Sequence, residues 1–251
     1  KKSIYINIRL EFIFMALPKL DLPTYELEVP STRKSIKYRP FLVKEEKVLL
    51  LALEGKDDAA IKQAVKTLLK GCITSRVKLD NFTTFDLEYI FLRIRAASVG
   101  EVVEMTVKCL DDNETEVKYN LNLNDVEVEF PEGHDNKIML TEDTGLIMKY
   151  PGFEQFVDTS ISGGEMSTED IFEIIAGSID QIFQGEEVFD SSTTTKKEFR
   201  EFLDGLTTAQ FEKIQVFFET SPKLTHTFKV NNPNTGVESS YTVEGLQNFF
   251  G

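Results

Sequence analysis

The chain has 251 residues, 41% hydrophobic and 28% charged, which excludes a mini-protein, a disordered chain, a collagen and a coiled-coil fibre. Its 42 acidic residues against 28 basic ones leave a net charge of −14, which repels phosphate at long range and argues against nucleic acid or an anionic membrane as partner. Twenty Phe, seven Tyr and no Trp make the apolar part Phe-driven, a composition that serves cores and protein interfaces alike.

Residues 1–14, KKSIYINIRLEFIF, lack an initiator Met and read as a non-native upstream extension, with the native protein opening at Met15. An added β-strand is the alternative. Arg9 and Glu11 interrupt the apolar stretch, and no small-residue cleavage site follows, so a secretion signal is a poor reading. No run is long and apolar enough for a membrane span. Cys72 and Cys109 have no second cysteine at metal or redox spacing and read as free core thiols.

Alternation at Tyr25, Leu27 and Val29, then at Ile36 and Tyr38, predicts a hairpin across Pro30-Ser31-Thr32. Pro40 stands where a helix can begin, with an apolar block from Val48 to Leu53. Asp57 or Asp58 caps the next helix, in which Ile61, Ala64, Val65, Leu68 and Leu69 form one face. Thr83 and Asp86 form a capping box ahead of a helix that is apolar nearly all round, and so buried. Arg93 and Arg95 interrupt it, and are expected to emerge at its far end or to pair with acids.

Period-two patterning then predicts a hairpin over residues 102–123, turning at Asp111-Asp112-Asn113, with Val126, Val128 and Phe130 extending it and Leu146–Tyr150 adding a strand. Beyond Pro151 the pattern is helical at 153–161. Ser167 with Asp170 starts another helix, expected to run through Ile179, Ile182 and Phe183. The Ser/Thr-rich stretch from Gly185 to Lys197 reads as a mobile loop. Two short helices follow, then a hairpin from Phe228 to Val243 and a final turn from Leu246 to Phe250. The expected fold class is α+β: an α+β N-terminal domain over 15–150, then a mainly helical C-terminal region over 151–251 that ends in a hairpin.

No catalytic set stands out. His134 and His226 are too few for a zinc constellation and lack an evident Ser or Cys partner. Ser162-Gly163-Gly164 lacks the Lys and glycine spacing of a phosphate loop, and Asp111 to Glu114 lack EF-hand spacing. No metal, cofactor or small-molecule substrate is expected.

Several segments in order, MALPKLDLPTYELEVPSTRKSIKYRPFLVKEEKVLLLALEG, FTTFDLEYIFLRIRAASVGE, MKYPGF and PKLTHTF…EGLQNFFG, resemble the T-even-like bacteriophage baseplate protein family, which includes hub subunits and hub assembly proteins. The resemblance covers most of residues 15–251, with Ala97 where the family pattern expects Lys. It implies a non-enzymatic structural or chaperone-like protein that contacts other baseplate hub proteins. It would act in the infected bacterium's cytoplasm during assembly and could stay in the virion tail. A hub-associated cell-wall hydrolase is the alternative. Relatives often carry paired cysteines at the sheet turns, resembling a small zinc ribbon. Here Cys109 stands alone with Asp112, and Asn231 to Asn234 replace the other pair, so no metal is carried over.

Leu246, Phe249 and Phe250 have i, i+3, i+4 spacing and would share one face of a terminal turn. They are the candidate interface residues, as a plug for another baseplate subunit; the competing reading docks them on the chain's own 228–243 hairpin. Deletion of residues 1–14 is expected to leave the melting temperature unchanged in thermal denaturation; a drop of several degrees would place the segment in the fold.

Overall fold

A computed structural model describes residues 21–161 and 167–249. The expected extension at 1–14, Met15, the Ser162-Gly163-Gly164 break and Phe250 lie outside the described residues. The fold is α+β, with helices packed on four small antiparallel sheets.

The first hairpin pairs β1 (Tyr25–Glu28) with β2 (Ser35–Tyr38), setting Leu27 opposite Ile36. Helix α1 (Val43–Gly55) opens where Glu45 accepts from the backbone N–H of Leu42 and takes a bidentate contact from Arg39, at 2.6 and 2.9 Å. Helix α2 (Asp58–Cys72) is capped by Asp57 and buries Ile61, Ala64, Val65, Leu68 and Leu69, the face its spacing predicts. Helix α3 (Thr84–Val99) carries the expected capping box and ends at Gly100, whose φ of 131° suits only glycine. Its buried residues lie all round it.

β3 (Val102–Lys108) and β4 (Glu116–Asn122) form the expected hairpin. β5 (Glu127–Glu129) does not extend it. A 3-10 turn at Leu123–Asp125 redirects the chain, and β5 pairs instead with β10 (Lys223–Asn231), whose other neighbour is β11 (Glu238–Glu244). The two hairpins meet through Tyr119 stacked on Phe228, ring centroids 3.9 Å apart, and through the Tyr241 hydroxyl donating to the Lys108 carbonyl at 2.8 Å.

A four-stranded sheet runs β6 (Lys137–Met139), β7 (Thr144–Met148), β8 (Ile179–Gln184), β9 (Glu187–Asp190). Helices α4 (Phe153–Phe156, continued by a π-turn at Val157–Ile161), α5 (Thr168–Gly177), α6 (Lys196–Asp204) and α7 (Thr208–Glu219) complete the described residues. Ile179 and Ile182 were expected in a helix and stand in a strand. A register shift between Ile147 and Met148 puts both on the buried face although they are three residues apart, a spacing that imitates a helix. The Ser/Thr-rich stretch expected as a mobile loop holds β9 and a turn in which Asp190 accepts from the backbone and hydroxyl of Ser192, at 2.8 and 2.5 Å.

Two cores result. The first gathers Leu27, Leu68, Leu92, Leu121, Phe156, Leu224 and Phe249 among others, and the second draws on residues between Ile138 and Phe217. The expected boundary at residue 150 does not separate them. Phe153, Phe156 and Val157 pack in the first core, whereas Ile138, Leu140, Leu146 and Met148 pack in the second.

Asp86 is fully buried and accepts from Ser31 N, Ser31 Oγ and Thr83 N at 2.9, 2.6 and 3.0 Å. One carboxylate thus caps α3 and ties the first hairpin's turn to it. Asp86→Ala strands those donors and is expected to lower stability by about 2–3 kcal/mol, read as a shifted urea midpoint at unchanged slope.

Candidate interaction surfaces

The turn Leu246–Phe249 lies against α3, β11 and the π-turn. Leu246 and Phe249 are 1% and 0% exposed. As placed, both are covered by the chain itself. Their shared apolar face finds the nearest apolar surface, which is the chain's own first core.

Arg93 does not emerge, and among the described residues it pairs with no acid. It is buried and donates to the carbonyls of Leu123, Asn124 and Val126 at 2.9–3.1 Å, with its guanidinium over the Tyr89 ring. Those carbonyls lie in the 3-10 turn and just after it, and one planar cation reaches all three.

At the junction of the cores, Tyr150 stands edge-on to Phe85 and stacks on Phe217, with centroids 5.1 and 5.5 Å away. His134 lies 2.9 Å from Thr220 Oγ1 through Nδ1 and 2.9 Å from the Tyr150 hydroxyl through Nε2. Thr220 gives its only hydroxyl proton to the Val216 carbonyl, so Nδ1 carries the hydrogen and Nε2 accepts from Tyr150. Burial lowers the His134 pKa from its ordinary value, in keeping with a neutral ring. A cleft of about 470 Å³ opens beside this cluster, lined by Phe85, Glu88, Tyr150, Ile174 and Phe218 among others.

The turns of the β3–β4 and β10–β11 hairpins are fastened by polar side chains. Asn232, 1% exposed, donates through Nδ2 to Asp111 at 3.0 and 3.1 Å and to Asp112 at 2.9 Å. The Thr235 and Thr115 hydroxyls donate to Asp111 and Asp112, each at 2.5 Å. These bonds, from Asn232 first for Asp111 and from Thr115 first for Asp112, hold both carboxyls below their usual range. The donor set does not fit a zinc ribbon. It offers one buried thiol, Cys109, beside carboxylates already engaged by amide and hydroxyl donors, and no group of three metal-ligating side chains occurs among the described residues.

Two surfaces carry exposed apolar side chains side by side. On the four-stranded sheet, Met139, Gly145, Phe183 and Val188 are successive cross-strand partners, forming one row across all four strands. A Cβ on Gly145 would stand 2.5 Å from the Phe183 ring and 2.7 Å from the Ile138 carbonyl, so glycine there lets the ring lie flat along the row. Met139 and Val188 are 40% and 57% exposed. The other surface is the outward side of α1, with Val43, Val48, Leu50 and Leu51. Periodicity gives the α1 stripe only as an apolar block, and the sheet row depends on long-range register that local patterning does not carry.

Phe249→Ala is expected to lower stability by about 3–5 kcal/mol, the range for emptying a fully buried phenylalanine site, measured by denaturant unfolding. An unchanged midpoint with lost binding to hub proteins would return the residue to the interface.

The chain matches the T4 bacteriophage base plate protein family over residues 22–251. No curated protein sequence and no solved structure matches it. A match over nearly all of the sequence, carried by segments that build both cores, establishes that the chain belongs to the T4 bacteriophage base plate protein family, whose place is the tail of the virion.

Proposed function

We propose that the chain is a hub subunit or hub-assembly protein of the contractile-tail baseplate, working in the host cytoplasm through protein–protein contacts and without catalysis. The observation that supports this reading is the apolar row Met139–Gly145–Phe183–Val188 on the outward side of the four-stranded sheet. Water gains nothing from such a row, whereas a partner that covers it removes apolar area at about 25 cal/mol per Å². Lys137, whose ammonium lies 5.2 Å from the Phe183 ring centroid, gives the row a polar border of the kind that rims an interface core. The partners on this reading are other baseplate hub proteins.

The test joins two measurements. The double variant Met139→Glu, Val188→Glu is expected to keep its melting temperature within about 3 °C, as exposed substitutions do, and to lose co-purification with hub subassemblies from infected cells. The unaltered chain is expected to release no soluble fragments from purified peptidoglycan. Wild-type co-purification by the variant, or release of fragments by the unaltered chain, would overturn the reading.

A further inference from the structure

Along the outward side of α1 run Val43, Lys47, Leu50 and Glu54, flanked by Lys44, Val48 and Leu51, and all seven are exposed. Val43 is 80% exposed, Leu50 53% and Leu51 56%. The inward side is committed: Ala52 is buried, Leu49 and Leu53 pack on the first core, and Glu45 is held by Arg39. Among the described residues none of Lys44, Lys47 and Glu54 makes an ion pair. Their order also runs against the helix dipole, with lysines in the first turns and a glutamate in the last. Helix stability therefore does not account for these charges. At 100° per residue, Lys47 and Glu54 both fall on the centreline of the outward side, one on each side of the Leu50/Leu51 pair and equally far from it.

We propose that this stripe is a self-association surface on which α1 packs antiparallel, across a two-fold axis between Leu50 and Leu51, against α1 of a second copy of this chain. A two-fold axis there sets Leu50 and Leu51 of one copy against Leu51 and Leu50 of the other and Glu54 against Lys47, so the leucines meet at the centre and Lys47 meets Glu54 twice. A partner bearing one sign of charge would match one end of the stripe and oppose the other. A second copy matches both, and this selects it as the occupant. Val48 and Leu51 also form a shallow groove with Ala60 and Gln63 of α2, so the incoming helix is cushioned on one flank by small side chains. One helix pair is a small interface, and two copies of net charge −14 repel one another. The dimer is accordingly weak in isolation and suited to an assembly in which neighbouring contacts hold the copies side by side.

The experiment is sedimentation equilibrium of the full chain from about 5 to 200 µM at about 0.15 M salt, where weak interfaces dissociate and surface charges are still felt. The unaltered chain is expected to show a monomer–dimer equilibrium, and Leu50→Glu with Leu51→Glu to be monomeric throughout. Lys47→Glu alone and Glu54→Lys alone each place like charges opposite twice and should weaken the dimer at least tenfold. An equimolar mixture of those two variants opposes every Lys with a Glu and should dimerise as tightly as the unaltered chain. Both single reversals put the favourable sign at the helix ends, so they should not unfold α1, and circular dichroism melts check this. If the leucine variant does not fold, the charge pair still decides. A chain monomeric throughout overturns the proposal, and so does a mixture no tighter than its components. A monomer whose melting temperature falls on Leu50→Glu would assign the stripe to the chain's own residues instead. Self-association can fail while hub co-purification survives, and the reverse, so this proposal and the hub reading stand or fall separately.

Discussion

A helix with no solvent face is the constraint around which the first core is arranged. Apolar side chains on every side of α3 require cover on every side, and the cover comes from α4, the 3-10 turn after β4, β5, β10 and the terminal turn. Two of its three buried polar side chains then fix the detail. Asp86 has to find donors and fixes the turn at Ser31; Arg93 has to find acceptors and fixes the carbonyls from Leu123 to Val126. Both ends of α3 are thereby stitched to segments far away in sequence, and leaving either group unsatisfied would cost more than one ordinary hydrogen bond contributes.

The second core is a smaller unit in which one sheet face meets α5, α6 and α7 and the other faces outward. Arg200 links α5 to α6 through Glu169 and Glu173 at 2.8 and 3.1 Å, with its guanidinium over Phe172. The aromatic cluster of Phe85, Tyr150, His134 and Phe217 joins the two cores, and its neutral histidine spends both ring nitrogens on that junction. The polar groups weighed in the sequence as possible chemistry, His134 at the junction and Asp111 and Asp112 between hairpin turns, are thus engaged in holding the fold, as is Arg93 beside the 3-10 turn. Apolar residues stand exposed instead on α1 and on the sheet.

What the sequence made legible was local. The capping boxes at Thr83, Ser167 and Thr207 each mark the residue before a helix, because the side chain and backbone that form such a box lie within four residues. The alternation from Val103 to Leu123 was equally clear, since each strand has one face inward. Non-local pairing was hidden. Nothing near Val128 says that its partner is Leu224, and the β-bulge at Met148 made a strand imitate a helix at Ile179 and Ile182. The spacing of Leu246 and Phe249 correctly announced a shared apolar face, but spacing alone does not say whether the cover comes from the same chain or another one. Family membership was legible from the order of several short segments, none specific alone, and the match over residues 22–251 agrees with it.

The way the first core closes also bears on synthesis. β5 waits for β10, and α3 waits for Leu246 and Phe249, more than a hundred residues later. A nascent chain emerging from the ribosome therefore carries α1, α2 and α3 with part of their apolar surface uncovered until translation is nearly over. The second core, whose members all lie between Ile138 and Phe217, has what it needs earlier. Order of manufacture and order of completion are inverted in this protein. The interval between them, when an unfinished hydrophobic surface is still uncovered, is the time at which it is most exposed to aggregation.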